Sequence, residues 1–453
     1  MAGAYGADST YYNPANMSLG KDNEKYEFEV NGTLIVIPGF DFHTVGRDKG
    51  MCTVKSFFNV SDGCFFKGNQ EADKTTAPTW EAPAYTATGK AITTIQPVPK
   101  FFIKSRSYHL SENLRMNYGA SFTTPSGLSM NWEGEGGGFL DDVSIAMLEL
   151  NPVISLGWRD FIAIGGGFRA IYTFGSFNNT LYVPMDFKGD TTTGNTYGTT
   201  EVSQTSNGSA WGFGWNAAAS IRPFAFTSSE ILKSLTISAT YRSNVHWDMK
   251  GKLYANSIIY ALGKQHTIGM DADLTLYSDL PPILNVAISQ DFGRNRIEFV
   301  YERTFYGSAR IFEFGYANQV FDLSSLGILA GSVPIEGMIN AADYSAVAYG
   351  NGWKDASAYR LGYTYFGNTW KVMASVAYDM TPAPQGVFGI PDANAYMVGF
   401  GGRKRLLNNK LDIGFGYSLA LKDNRKSFIV SHDGFGQLHL FTIGLKYLWG
   451  GNG

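Results

Sequence analysis

Large apolar residues alternate with small or polar residues along most of the chain. In 438–449 the odd positions are mostly large and apolar, whereas Thr442, Gly444 and Lys446 lie between them. The same alternation recurs in 235–242, 297–302, 370–380 and 411–419. A period of two is that of a β-strand with two unlike faces, so the pattern predicts strands throughout the chain.

The length of these segments indicates a membrane. They run for about nine to twelve residues, as a tilted strand needs to cross a bilayer, and several end in Tyr, Trp or Phe, as an interfacial girdle requires. Uninterrupted apolar stretches such as 34–37 are far shorter than the roughly eighteen residues of a spanning helix. We therefore expect the chain to cross a membrane with strands.

The connections support a barrel, because outer-membrane barrels alternate short inner turns with long outer loops. Long connections are expected at 43–97, 123–144, 177–208, 251–265, 317–356, 381–394 and 422–435, and both termini then fall on the periplasmic side. The sequence predicts fourteen strands, at about 26–42, 98–109, 113–122, 145–157, 161–176, 209–225, 234–250, 266–291, 294–316, 357–366, 370–380, 395–405, 410–421 and 436–449.

The composition and the strand lengths argue against a nucleic-acid-binding protein and against a soluble all-β protein. The 453 residues include 53 Gly and 15 % aromatic residues, and with 17 % charged residues and a net charge of −3 they carry no basic surface typical of nucleic-acid binding. A soluble propeller or tandem sandwich would have shorter strands with inward apolar faces, and no 40-residue repeat is present. The predicted fold is all-β: a fourteen-stranded antiparallel transmembrane β-barrel.

The N-terminal residues do not read as a strand, because 4–19 is small and polar and Pro14 forces its neighbour out of helical geometry. We expect a hatch at 1–25 that plugs the periplasmic end of the lumen, a barrel at 26–449 and a short tail at 450–453. A frayed terminus is the alternative for the first segment.

Two features concern export. The start, Met1 to Tyr5, lacks the basic and apolar regions of a signal peptide, so either the chain is not exported or the peptide has been removed. Cys52 and Cys64 flank a turn-rich loop where a disulfide is geometrically easy, which favours an oxidising compartment. Two unpaired thiols are the alternative.

The order of several motifs resembles the FadL family of outer-membrane transporters for long-chain fatty acids and other hydrophobic compounds. The resemblance spans nearly the whole chain. It rests on Gly6-Ala7-Asp8-Ser9-Thr10 with Asn13-Pro14-Ala15, Trp211-Gly212-Phe213-Gly214-Trp215-Asn216, Thr240-Tyr241-Arg242-Ser243, Met249-Lys250-Gly251, Leu280-Pro281-Pro282, Trp353-Lys354-Asp355, Tyr359-Arg360, Tyr378-Asp379, Thr381-Pro382-Ala383-Pro384 and Ile390-Pro391-Asp392-Ala393-Asn394.

The resemblance implies passive uptake across the bacterial outer membrane. Outer loops would capture the ligand, a lumen pocket beside the hatch would receive it, and a lateral gap at a kinked third strand would release it into the membrane. The expected substrates are long-chain fatty acids, with uncharged aromatic or aliphatic hydrocarbons as the alternative. Expected partners are this hydrophobic small molecule, outer-membrane lipid and lipopolysaccharide; no cofactor or nucleic acid is expected, and the chain would be a monomer.

Site residues follow from the resemblance position by position. Asn13 and Pro14 would belong to the hatch, and Gly119 would permit an inward bend at the gate, although an ordinary barrel-corner glycine is equally consistent. Arg169 is the nearest candidate for contacting a ligand carboxylate, with a lumen ion pair as the alternative. The outer groove would use apolar residues of two loops, unless these merely pack against each other: Leu181, Tyr182, Val183, Met185, Phe187, Ile258, Ile259 and Tyr260.

Other chemistry finds little support in the sequence. None of the six His residues lies in a recognisable catalytic motif, no Cys/His spacing suggests a metal site, and we expect no enzyme. The Gly-rich stretch 133–138 lacks the Lys-Ser/Thr of a phosphate loop. Gly165 to Gly167, within a strand, predict close packing with the hatch. A general diffusion porin and a purely structural or adhesive barrel are the remaining alternatives.

Overall fold

We describe a computed structural model of the chain. It describes residues 1–19, 25–44, 51–53, 79–81, 88–131, 142–187, 196–261, 264–309, 313–331, 353–382, 393–423, 430–431 and 436–450.

The described elements are two short helices, three 3-10 segments and twenty-four strands. The helices are α1 (Ser9–Tyr12) and α2 (Glu230–Lys233), and the 3-10 segments are Pro14–Met17, Tyr306–Ser308 and Ser324–Gly331. The strands are β1 (Tyr26–Ile37), β2 (Phe40–Thr44), β3 (Met51–Thr53), β4 (Thr79–Glu81), β5 (Thr88–Ala91), β6 (Thr94–Lys104), β7 (Tyr108–Ser111), β8 (Leu114–Thr123), β9 (Gly127–Asn131), β10 (Asp142–Trp158), β11 (Ile162–Phe187), β12 (Thr196–Ile221), β13 (Thr236–Arg242), β14 (Val245–Ala261), β15 (Lys264–Leu280), β16 (Ile283–Phe292), β17 (Asn295–Thr304), β18 (Glu313–Asp322), β19 (Ala356–Phe366), β20 (Trp370–Asp379), β21 (Ala395–Leu406), β22 (Leu411–Lys422), β23 (Val430–Ser431) and β24 (Gln437–Trp449).

Nineteen of these strands form one antiparallel sheet that closes into a barrel. Closure comes from β1, which pairs with the last strand β24 along one edge and with β6 along the other. Five of the fourteen wall positions consist of two successive strands separated by a break: β6 with β7, β8 with β9, β13 with β14, β15 with β16, and β17 with β18. The predicted fourteen-stranded antiparallel barrel is confirmed.

The breaks correct the predicted strand ends. The predicted strand 266–291 is interrupted at Pro281 and Pro282, since proline cannot donate to a ladder. The predicted strand 234–250 breaks at Ser243 and Asn244, and 294–316 breaks after Thr304. The strand predicted from 26 to 42 ends at Ile37, just before Pro38, because Pro38 has no backbone N–H to donate to the ladder.

Two predicted outer loops are wrong in secondary structure. Much of 177–208 belongs to the long hairpin of β11 and β12, whose ladder runs from Ile162 opposite Ile221 to Phe187 opposite Thr196. Nearly all of 251–265 belongs to the hairpin of β14 and β15. These segments continue the strands of the wall through backbone hydrogen bonds. Such bonds form whatever the side chains are, so a strand can extend beyond the apolar alternation from which its ends were predicted.

Burial is reversed relative to a soluble protein. Large apolar side chains are exposed on the outer face, for example Trp211 (61 %), Phe213 and Phe400, whereas Glu149 and Asn151 on the inner face are fully buried. An outward apolar band around a polar interior suits a wall surrounded by lipid. No helix in the described part of the chain is long and apolar enough to span a membrane.

Candidate functional site: the barrel lumen

The first nineteen residues, here the N-terminal segment, fold into two short turns of helix. Helix α1 ends at Tyr12, and Pro14 opens the following 3-10 turn, where its missing N–H is no loss. Between them, Asn13 has an extended conformation and is completely buried. Its neighbours Ala15 and Asn16 are buried as well.

Hydrogen bonds tie the N-terminal segment to inward-facing side chains on several sides of the barrel. The amide of Asn13 donates to the Ser220 hydroxyl on β12 at 3.0 Å. The hydroxyl of Ser18 donates to Asn117 Oδ1 on β8 at 2.9 Å. The backbone N–H of Gly3 donates to Glu298 on β17 at 2.7 Å. Contacts with strands so far apart in the sheet order place the segment inside the barrel.

Glycines allow this close approach on one side of the lumen. A Cβ at Gly165 on β11 would lie 2.7 Å from the backbone nitrogen of Ala15, closer than real side chains come. A Cβ at Gly119 on β8 would lie 2.6 Å from the Thr10 methyl group, and a Cβ at Gly157 would collide with the carbonyl of Ser18. The predicted close packing of Gly165 to Gly167 with the N-terminal segment is therefore confirmed only at Gly165, because a Cβ at Gly166 or Gly167 would meet the neighbouring strands at Asn216 or Pro152.

A buried ion-pair cluster lies next to the N-terminal segment. Arg169 donates to Glu149 at 2.9 Å and to the carbonyl of Ser243 at 2.8 Å, and Arg242 also pairs with Glu149. The Arg242 guanidinium lies 4.0 Å from the ring centroid of Tyr11. Since Arg169 is 1 % exposed and Glu149 is fully buried, each charge depends on its partners for solvation.

Electrostatics also favour the docked N-terminal segment. Burial by itself would raise the pKa of the Asp8 carboxyl, but the nearby cations of Lys446, Lys371 and Arg403 outweigh burial, so the pKa lies below its ordinary value of 3.8. Asp8 therefore stays ionised and attracted to this wall at neutral pH. Its stabilising contribution is lost only as the pH falls through that lowered pKa.

A cavity of about 900 Å³ remains between the N-terminal segment and the opposite wall. Tyr11, Tyr12 and Pro14 line it from the segment. Many inward positions that line the cavity on β19 to β24 are glycine: Gly362, Gly399, Gly401, Gly414, Gly416 and Gly444. A second cavity of about 1250 Å³ shares Asp8, Lys371 and Arg403 with the first.

The ladder of the wall is interrupted beside this cavity. The ladder between β6 and β8 joins only Phe101–Lys104 to Gly119–Phe122. Farther along, 124–126 belong to no strand, and β9 pairs with β10. A hydrogen bond from the Ile92 N–H to the Asn131 carbonyl at 3.3 Å bounds the far end. We call the interval between β6 residues 94–100 and residues 123–130 the window.

The window borders the lumen cavity, because Lys100, Thr124 and Pro125 lie at its edges and also line the cavity. Gly119, the predicted gate residue, lies in the short ladder that borders the window and touches the N-terminal segment. Gly119 as the gate residue stays a prediction, and the interruption of the ladder lies beyond it, at Thr124 and Pro125. Pro125 is the signal that could have located it.

The remaining predicted site residues are placed as follows. Arg169 is enclosed by Glu149 and Ser243 and is absent from the cavity lining, so the ion-pair interpretation fits its surroundings. The side chains of the predicted groove residues fall outside the described part, although their backbones lie in strands: Leu181, Tyr182, Val183, Met185 and Phe187 in β11, and Ile258, Ile259 and Tyr260 in β14.

The backbone brings the two groups of groove residues together. Tyr182 pairs with Glu201 on β12, and Glu201 pairs in turn with Ile258 on β14. The outer groove itself stays a prediction. Cys64 lies outside the described residues, and the side chain of Cys52 is not described, so the disulfide also stays a prediction.

Lys371 is not among the site residues predicted from the sequence. Lys371 lines both cavities and attracts the Asp8 carboxylate electrostatically, but it makes no direct hydrogen bond or ion pair with any described residue. The alternation in β20 had assigned Lys371 to the polar face, opposite Trp370 and Val372. The sequence also did not reveal that two other lumen cations have carboxylate partners: Glu29 and Asp412 for Arg403, and Glu302 for Arg360.

The sequence profile of one protein family, described as outer membrane protein transport protein (OMPP1/FadL/TodX), matches residues 1–434. No curated protein sequence is significantly similar to the chain.

Solved structures share the fold at low sequence identity. A FadL homologue of Pseudomonas aeruginosa is 14 % identical with a TM-score of 0.62, and the alignment covers 98 % of this chain and 94 % of the homologue. The toluene transporter TodX of P. putida is 14 % identical, with a TM-score of 0.63 and coverages of 99 % and 95 %. The Ralstonia pickettii toluene transporter TbuX is 15 % identical, with a TM-score of 0.54 and coverages of 99 % and 94 %.

Proposed function

The chain belongs to the OMPP1/FadL/TodX family of outer membrane transport proteins, and on this premise we propose that it mediates passive uptake of hydrophobic small molecules. In this proposal residues 1–25 act as the hatch, and residues 26–449 form the transport barrel. Members of the family are transport channels and not enzymes. The solute enters between the outer hairpins, binds in the 900 Å³ cavity and leaves through the window into the membrane.

The observation that carries this proposal is the meeting of the cavity with the window at Thr124 and Pro125. An apolar solute in the lumen gains about 25 cal/mol for each Å² of apolar surface that it transfers from water into lipid. A side exit offers this transfer without passage through the periplasm. No energy source or cofactor is required.

The substrate class depends on whether the cavity recognises a charge. We propose long-chain fatty acids as the first candidate, because Lys371 lines the cavity without a direct hydrogen bond or ion pair to a described carboxylate, and an ammonium suits a ligand carboxylate. Uncharged hydrocarbons are the second candidate. For them the supporting observation is Arg169, whose guanidinium is already paired with Glu149 and offers a ligand no anchor.

Binding to purified protein separates the two candidates. Radiolabelled oleate and toluene are tested in parallel on the wild type, on Lys371→Ala and on Lys404→Ala, a control lysine that is exposed and bonded to Thr369. Loss of one charge-assisted hydrogen bond should weaken oleate binding by about tenfold in Lys371→Ala only. If toluene binds equally to all three proteins and oleate binds weakly, we would assign uncharged hydrocarbons as the substrates instead. Binding of neither ligand would contradict the proposed function.

A further inference from the structure

Three tyrosine hydroxyls meet on the outer surface of the barrel, on the same seam as the window. The Tyr26 hydroxyl lies 2.7 Å from the Tyr108 hydroxyl, which lies 3.3 Å from the Tyr118 hydroxyl. They come from β1, β7 and β8, which meet here. The rings of Tyr108 and Tyr118 are stacked at 5.7 Å, and Tyr26 stacks on Trp449 at 5.6 Å. These stacks hold the hydroxyls in place.

A cation lies beside this tyrosine cluster. The Arg106 guanidinium carbon is 5.3 Å from the ring centroid of Tyr108. Arg106 is exposed, and no carboxylate in the described part of the chain forms an ion pair with it. Two hydrogen bonds link three hydroxyls, so one hydroxyl proton remains free to donate together with the guanidinium N–H groups.

The surroundings of the cluster are apolar and exposed. Tyr118 itself is 47 % exposed, and Ile103, Leu110 and Phe28 present apolar surface around it. The cluster lies by the short turn after Ser111, near the C-terminal end of β24. In outer-membrane barrels such short turns face the periplasm, where the headgroups of the inner leaflet lie.

From these contacts we propose a phospholipid site at this seam. The phosphate of an inner-leaflet phospholipid accepts hydrogen bonds from Arg106 and from the tyrosine cluster, and its acyl chains lie along Ile103 and Phe28 toward the window. Arginine and hydroxyl donors are the groups that recognise phosphate. A lipid held there would form part of the surface onto which a solute emerges.

Native mass spectrometry of the detergent-solubilised barrel tests this site. The wild type is titrated with dioleoyl phosphatidylglycerol, with dioleoylglycerol, which has no phosphate, and with inorganic phosphate. The test variant is Arg106→Gln with Tyr108→Phe. The matched control is Arg294→Gln with Tyr363→Phe, which removes the same two groups from another turn, where Tyr363 bonds to Asn295. Heat-dependent mobility on gels verifies that both variants fold.

We expect one phospholipid to bind to the wild type and to the control, with affinity about tenfold lower in the test variant. Dioleoylglycerol should bind weakly to all three proteins. Equal phospholipid binding by the test variant, or equal binding of dioleoylglycerol by the wild type, would overturn the proposal. Saturation by inorganic phosphate with no preference for the lipid would also overturn it, because the site would then bind a free anion.

Discussion

Single residues decide how closely the N-terminal segment approaches the wall. Gly165, Gly157 and Gly119 lie where any side chain would meet this segment, whereas Gly416, across the cavity, has more than 3.4 Å of space around a Cβ. The sequence shows the glycines, and it predicted the packing at Gly165. The sequence does not distinguish glycines that pack against the N-terminal segment from glycines that line the cavity, because both kinds occupy inward positions of the strands.

We expect Gly165→Ala to loosen the N-terminal segment and Gly416→Ala to leave it docked. The added methyl would lie 2.7 Å from Ala15, and such overpacking costs about 1–3 kcal/mol. Limited proteolysis of the folded barrel, followed by N-terminal sequencing, measures the effect. Equal protection of the segment in the two variants would show that contact at Gly165 does not hold it.

Glu149 should matter for stability far more than for ligand affinity. Glu149→Gln leaves the buried guanidinium groups of Arg169 and Arg242 without a counter-charge, which costs about 3–5 kcal/mol for a buried pair. The temperature of unfolding, followed by circular dichroism, should fall clearly, while Glu230→Gln in an exposed pair serves as control. An unchanged unfolding temperature in Glu149→Gln would contradict the assigned role.

At the scale of elements, the alternation predicted the strands well and their interruptions poorly. The alternation of apolar and polar residues shows which face of a strand meets lipid. This face is the same before and after a break in the strand, so the pattern predicted β13 and β14 as one continuous strand. Prolines marked the breaks at Pro281 and Pro125, but the break at Asn244 carries no such mark. The window forms where two neighbouring strands fail to pair. The residue pattern of one strand does not determine how its neighbour runs, so the sequence did not predict the window.

The N-terminal segment should limit the flow of ions. Deleting 2–19 removes the residues that bond to Ser220, Asn117 and Glu298 and empties much of the lumen. In planar bilayers we expect low conductance from the wild type and large, steady currents from the deletion variant, as in an open porin. Gel mobility with and without heating checks that the truncated barrel is folded. Equal currents from both proteins would contradict a hatch.

At the scale of the whole molecule, the sequence predicted the architecture, and the structure adds a lumen cavity that meets the window. An apolar outer face, a polar inner face and alternating connection lengths sufficed to predict a closed fourteen-stranded barrel. Residues far apart in the chain line the cavity: Tyr11 near the start, Thr124 in the third wall position and Gly416 near the end. Their meeting follows from barrel closure, which a residue pattern does not specify in detail.

The most direct test of the account is uptake through the window. Thr124→Trp places a large side chain where the window meets the cavity, and Asn244→Trp places the same side chain at the break between β13 and β14. Uptake of radiolabelled oleate and toluene into cells expressing each protein is measured beside binding to the purified proteins. We expect Thr124→Trp to lower uptake severalfold while binding is retained, and Asn244→Trp to behave as wild type. Undiminished uptake by Thr124→Trp would contradict lateral release through this window.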